Sequence, residues 1–212
     1  MEITFLGHSS FKLKDKSVTV VTDPFDPNFT GLKFPKTAAD IVTVSHGHQD
    51  HNFIEAVEGG PFVVNGPGEY EIKGVFIKGV CAFHDNKNGA ERGKVTLYNI
   101  LIDGINVAHL GDLGVNLTTD ELESLGNVDI LLVPVGGEYT INAHAAAKII
   151  SEIEPKMVVP MHYGVEGLKF ELEPVSSFLK EMGKENIEFQ PKLVISKDKL
   201  PEELQIVLLE KV

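Results

Sequence analysis

The stretch that most restricts the fold is Ile41-Val-Thr-Val44, followed without a break by Ser45-His-Gly-His-Gln-Asp-His51. A short apolar, β-branched run predicts a buried strand, and the polar groups directly behind it place chemistry at that strand's C-terminal end. In an extended segment residues two apart face the same way, so His46 and His48 are expected to reach one ion together. Asp50 and His51 are then free to turn toward a second. Grouped neutral imidazoles beside a carboxylate suit zinc directly.

Four residues cannot close two coordination spheres, so the pattern demands further ligands at the ends of other apolar strands. His84 follows Val80-Cys-Ala-Phe83, Asp112 follows Val107-Ala-His-Leu-Gly111, and His162 follows Val158-Val-Pro-Met161. Each alone reads as a hydrogen-bonded structural residue, and together they supply what is missing. His109 lies inside a strand-like run and His144 in the first turn of an expected helix, so both read as structural.

The opening reads as a β-meander, with strands expected over Glu2 to Leu6, Phe11 to Leu13 and Val18 to Thr22. From Asp23-Pro24 to Pro35 the chain is rich in Pro, Asn and Gly and reads as a loop bordering a cleft. Further strands are expected at Phe62 to Val64, Tyr70 to Ile72, Val75 to Phe83, Val95 to Ile102, Asn106 to His109, Ile130 to Val133, Met157 to Val159, Val194 to Ser196 and Gln205 to Leu209. Lys73-Gly74 and Asp103-Gly104 are the tight turns between them. Helices are expected with Thr119 capping Asp120 to Leu125, Asn142 capping Ala143 to Glu152, and Pro174 opening a segment through Met182 that stops at Gly183. Gly66-Pro-Gly68 reads as a turn, and Gly136-Gly137 as a turn or a close backbone approach to the cleft. Two blocks of strands, each followed by helices, predict an α/β fold of two packed sheets with helices outside.

At 212 residues the chain is near the upper limit of one domain. No linker, low-complexity tract or short repeat divides it, so one domain over 1–212 is expected. With 42% hydrophobic and 24% charged residues the composition is that of a soluble globular protein. No apolar run approaches the roughly 18 residues of a membrane span. The start reads as a strand rather than a signal peptide, and a cytoplasmic protein is expected. A formal charge of −12 disfavours an extended nucleic-acid footprint, and no basic amphipathic helix suggests stable membrane association. Cys81, the single cysteine, sits in the apolar run from Val75 to Phe83, where a buried structural thiol is expected.

In order, His46-x-His48-x-Asp50-His51, His84, Gly111-Asp112 and Pro160-Met-His162-Tyr163 resemble the motifs of the metallo-β-lactamase superfamily, over nearly the whole chain. Gly7-His8-Ser-Ser, Thr22-Asp23-Pro24 and Gly136-Gly-Glu-Tyr-Thr140 are similar to the branch containing L-ascorbate-6-phosphate lactonase and N-acylphosphatidylethanolamine phospholipase D. The resemblance implies a four-layer αββα sandwich with metals at the edge between the sheets. It assigns His46, His48 and His84 to one metal, Asp50, His51 and His162 to the other, and Asp112 to both. It further implies that Asp23 orients a ligand histidine, and by motif Asp50 handles the proton of a metal-bound hydroxide. His8, next to Ser9 and Ser10, reads either as a cleft residue that helps the leaving group or contacts phosphate or as a strand-end structural histidine, and Tyr163, next to His162, either as a substrate contact or as a partly buried aromatic.

The activity expected is therefore dinuclear metal-dependent hydrolysis of a small phosphodiester, lactone or related ester, with zinc, manganese or iron as the divalent ions. A non-catalytic metal-binding sensor and a di-iron redox protein are the alternatives on the same ligand set.

Overall fold

The computed structural model describes all 212 residues. The N-terminal half contains β1 (Glu2–Gly7), β2 (Ser10–Lys14), β3 (Thr19–Thr22), the one-turn helix α1 (Pro27–Thr30), β4 (Thr37–Ala38), β5 (Ile41–Thr43), β6 (Val57–Glu58) and β7 (Phe62–Val64). Next come β8 (Gly68–Ile72), β9 (Val75–Phe83), β10 (Lys94–Ile102), β11 (Ile105–His109), α2 (Thr119–Leu125), β12 (Ile130–Pro134), α3 (Ala143–Ile153) and β13 (Met157–Met161). The chain closes with α4 (Val175–Glu181), β14 (Phe189–Gln190), β15 (Leu193–Val194), β16 (Gln205–Ile206) and β17 (Leu208–Leu209).

Two mixed sheets form the body, one ordered β15-β1-β2-β3-β5-β7 and the other β16-β13-β12-β11-β10-β9-β8. In the first, β1 to β3 form the expected meander and β3, β5 and β7 run parallel. In the second, β8 to β11 are antiparallel and β11, β12 and β13 parallel. Parallel strands carry their C-terminal ends to one edge, where open α/β sheets place ligands. Lys73-Gly74 and Asp103-Gly104 both have positive φ at each residue, the backbone that suits a two-residue hairpin between right-twisted strands.

The core is a 48-residue cluster drawn from both sheets and from α2, α3 and α4. Strands β12 and β13 are buried at every position, which explains their unbroken apolar sequence. Helices α2 and α3 pack on the second sheet, α4 against α3. Over the outer face of the first sheet the cover is thin, with Phe34, Ala39, Ile54 and Val57 closing on Leu6, Val21, Val42 and Val44.

Several boundaries differ from expectation for local reasons. Thr118, not Thr119, caps α2, because its hydroxyl accepts from the Glu121 amide while the Glu121 carboxylate accepts from the Thr118 amide. The expected strand from Gln205 to Leu209 splits, and its halves β16 and β17 pair with β13 and β14. Cys81 is exposed rather than buried: β9 is covered on both faces at Gly79 and Val80, and at Cys81 the face that buries Val75 and Ile77 is open, while Ala82 on the other face is buried.

One contact locks the two sheets behind the histidine loop. Tyr98, buried on β10, donates its hydroxyl to the Val44 carbonyl at 2.9 Å, and the Thr96 amide donates to the Ser45 carbonyl at 2.8 Å. Tyr98→Phe deletes one tie and leaves a buried carbonyl short of a partner. Urea unfolding should show a loss of roughly 1 to 2 kcal/mol with an unchanged slope.

Candidate metal centre

The loop after β5 is a run of bends rather than extended chain, so the convergence of His46 and His48 comes from folding back and not from strand alternation. His46 Nε2 and His48 Nδ1 stand 3.0 Å apart. His84 enters at the end of β9, Asp112 just beyond β11 and His162 directly after β13. Besides Asp23 with His46 and His51, ligand-type atoms gather into two groups, His46 with His48 and His84, and Asp50 with His51, His162 and His8. Between them lies Asp112, whose Oδ2 is 3.1 Å from His51 Nε2, 3.3 Å from His162 Nε2, 3.4 Å from His84 Nε2 and 3.9 Å from His46 Nε2.

Buried groups outside these sets fix their geometry. Asp23 Oδ2 accepts from His51 Nδ1 at 2.8 Å and from the Ser45 hydroxyl at 2.5 Å, and its Oδ1 accepts from the Ser45 amide at 2.8 Å. With its proton given to Asp23, Ser45 Oγ accepts from His46 Nδ1 at 2.9 Å. One carboxylate thus sets the tautomer of two histidines, leaving both Nε2 atoms free for an ion. His109 is structural as expected: its Nε2 donates to the Ser9 carbonyl at 2.7 Å and its Nδ1 accepts from the Gly111 amide at 3.1 Å, tying the turn before Asp112 to the turn carrying His8. His144 is exposed on α3 and bonds Glu181 at 2.8 Å, apart from both groups.

The backbone is strained at this edge. His8, Asp23 and His162 have φ of 55°, 39° and 51°, in the left-handed region that side chains other than glycine's disfavour. The His162 amide donates to the His8 carbonyl at 2.9 Å, which holds two of them together. Gly111 has φ of 50°, and a Cβ there would lie 2.6 Å from Ser45 Cβ. Gly136 is the close approach rather than only a turn, because a Cβ would meet the His162 carbonyl oxygen at 2.1 Å.

Electrostatics favour cations here. Burial and the neighbouring His51 push His46 down to about 3, and burial with the charge of His162 pushes His8 down to about 4, so both are neutral imidazoles near pH 7. Burial works against ionisation of Asp112, yet His162 and His51 hold its carboxyl well below the usual range. For His51 burial also opposes the charged form, and the carboxylates of Asp112 and Asp50 override it. His51 Nε2 and Asp112 Oδ1 are buried without a hydrogen-bond partner. The other oxygen, Asp112 Oδ2, lies 3.1 Å from His51 Nε2 without making a hydrogen bond to it, so an imidazole nitrogen and a carboxylate are placed as two ligands facing one ion, and this set fits a divalent metal.

A cavity of about 540 Å³ opens onto Asp112, His48, His84, His162 and Asp50. His46, His51 and Asp23 lie beneath its floor and do not line it, and neither do the two residues expected to meet substrate, His8 and Tyr163. His8 is buried behind Asp50, with His8 Nε2 3.1 Å from Asp50 Oδ2, so it touches the carboxylate and not the cleft. Tyr163 is a core residue stacked near Phe5, ring centroids 6.1 Å apart, and burial pushes its hydroxyl up to about 12. Conversely, Phe29, Arg92, Tyr139 and Phe170 line the cavity, and Ser45 and Asp85 organise it, none of them singled out from the sequence. Asp85, adjacent to His84, was the most legible of these.

This arrangement is that of a metallo-β-lactamase superfamily protein, and similarity to known proteins agrees. The β-lactamase superfamily domain profile matches residues 2–162. A solved member of the metallo-β-lactamase superfamily from Thermotoga maritima is 39% identical and superposes with a TM-score of 0.80 over 99% of each chain. UPF0173 metal-dependent hydrolases of Thermococcus onnurineus and Methanopyrus kandleri are each 31% identical, across 77% of this chain and 84% of theirs. The chain belongs to this UPF0173 family.

Gly111 and Gly104 separate strain from crowding. A Cβ at Gly104, where φ is 74°, meets nothing within 4 Å. Gly104→Ala should therefore cost only about 1 kcal/mol of backbone strain. Gly111→Ala should lose a further 1 to 3 kcal/mol or so from overpacking against Ser45, and calorimetric zinc titration should show weakened binding for Gly111→Ala alone.

Proposed function

We propose that the chain is a dinuclear metal-dependent hydrolase of a small ester-like substrate, a phosphodiester, lactone or related ester, working in the cytoplasm. In this reading His46, His48 and His84 hold one ion, Asp50, His51 and His162 hold the second, and Asp112 serves both. The supporting observation is the position of Asp112 Oδ2 within 3.1 to 3.9 Å of four imidazole Nε2 atoms, with His46, His48 and His84 clustered on one side and Asp50, His51 and His162, backed by His8, on the other. Zinc suits the imidazole-rich set, while the carboxylates also accommodate manganese or iron. When bound, such ions supply Lewis acidity and lower the pKa of coordinated water from 15.7 toward about 7.

The protein's own groups supply positioning and proton handling. Asp50 lines the cavity, and burial against its ionisation is overcome by His51 and by the hydrogen bond from His8. It is therefore a carboxylate near neutrality, able to orient an attacking water and to take and return a proton. His8, held neutral, donates Nε2–H to Asp50 and steers that carboxylate, a positioning role in place of the leaving-group role expected from sequence. Asp23 and Ser45 hold His51 and His46 in the tautomers that leave Nε2 available. The cavity's size suits a small molecule. Neither the net charge of −12 nor the helices, none long and apolar enough to cross a membrane, favours a nucleic-acid or membrane-embedded substrate.

Asp50→Asn is the informative variant, because an amide cannot accept a proton as a carboxylate does, while His46, His48 and His84 still complete one ligand group. Across a panel of phosphodiesters, lactones and thioesters, wild-type hydrolysis should vanish with chelator and return with zinc. Asp50→Asn should lose about a hundredfold or more in kcat while retaining at least half the bound zinc by elemental analysis, with exposed His144→Ala as an unchanged control. Wild-type turnover in Asp50→Asn would contradict the assignment. A zinc-replete wild type inert to the whole panel would favour the sensor.

A further inference from the structure

The sequence contains one arginine among nineteen basic residues, and that arginine, Arg92, is the one Lys or Arg side chain lining the cavity. Its position is built in. Directly after His84, the Asp85 carboxylate accepts the backbone amides of Lys87, Gly89, Glu91 and Arg92 at 2.8, 2.8, 2.9 and 2.7 Å. The loop is thereby wound around one buried side chain, and Arg92 emerges from its last turn. Although Asp and Glu outnumber Lys and Arg 31 to 19 in the chain, the guanidinium has no carboxylate partner. Its contact is the Tyr139 ring, 5.4 Å from Cζ to centroid.

Aromatic rings continue from that point along one wall. Tyr139 meets Phe170 edge-on at 6.0 Å, and Phe170 meets Phe29 at 6.0 Å. They come from separate segments, and Tyr139 and Phe29 are 40% and 43% exposed. An apolar wall with one fixed, unpaired guanidinium faces a floor of imidazoles and carboxylates. Arginine recognises planar oxyanions through two parallel N–H donors, which a lysine cannot reproduce.

We propose that Arg92, Tyr139, Phe170 and Phe29 form a recognition subsite for the non-reacting part of the substrate, a planar apolar group carrying an oxyanion, carboxylate or phosphate-like, that the guanidinium binds. This rests on the hydrolase reading for the floor of the cleft. It accounts for why the chain's single arginine is placed here without a partner of its own. Arg92 and the metals would then address opposite ends of one ligand.

Calorimetry on zinc-reconstituted protein tests the subsite without needing turnover. The probes are phenylphosphonate, its 3- and 4-carboxy derivatives, and the 1,3- and 1,4-benzenediphosphonates. In the wild type the second anion should tighten binding by about tenfold to a hundredfold for at least one isomer. The carboxylate and phosphonate arms tell which oxyanion is preferred. Arg92→Met should abolish that gain, Arg92→Lys should restore only part of it, and Lys87→Met, a cation of the same loop outside the cavity, should keep it. Phe170→Leu should weaken all the probes, because each carries the ring. No gain in the wild type, or an equal gain in Arg92→Met, overturns the subsite. Either result would leave hydrolysis of neutral esters, and with it the hydrolase reading, standing. A protein inert to every ester that still shows the Arg92-dependent gain would retain the subsite and lose the enzyme.

Discussion

The carboxylate of Asp112 is the constraint around which the rest of the molecule is arranged. It is 2% exposed, and its Oδ1 has no hydrogen-bond partner. Burying an ionised carboxylate costs several kcal/mol unless cations or donors compensate. Four imidazoles, two from the loop after β5 and one each from the ends of β9 and β13, converge on it, and no lysine or arginine side chain forms an ion pair with it. Such a group is expensive in a bare protein and inexpensive around divalent ions, the physical basis of the proposed dinuclear site.

Delivering that carboxylate requires the fold's parallel edge. Strands β11, β12 and β13 end side by side in the second sheet, and β3 and β5 end together in the first, so Asp112, His162, Asp23 and the histidine loop share one rim. The strain is concentrated there too, in the left-handed backbones of His8, Asp23 and His162 and the crowding at Gly111 and Gly136. These conformations persist because the rim is over-determined: His109 ties two turns together, Asp23 and Ser45 bind two ring nitrogens, and Tyr98 with Thr96 anchors the loop from the opposite sheet.

What was legible in the sequence was whatever a local pattern encodes. Apolar strand runs, both tight turns and the Asn142 cap followed from periodicity and side-chain chemistry. The strand-end positions of His84, Asp112 and His162 led to one site, although the nearby loop reached it by bending, not by alternation. Cys81 shows the limit of an apolar run, which does not say which of its faces meets the core. His8 and Tyr163 show another: proximity in sequence to site residues does not reveal whether a side chain stands in the cleft or behind it. Arg92, Tyr139, Phe170 and Phe29 come from separate segments and carry no shared pattern, so only the folded chain brings them to one wall.

The most direct measurement is anomalous X-ray scattering at the zinc edge from crystals of the zinc-reconstituted protein. The account predicts two peaks, one bounded by His46, His48 and His84 and the other by Asp50, His51 and His162, with the Asp112 carboxylate in contact with both. A single peak at full zinc occupancy, or ions bound without Asp112, would contradict it.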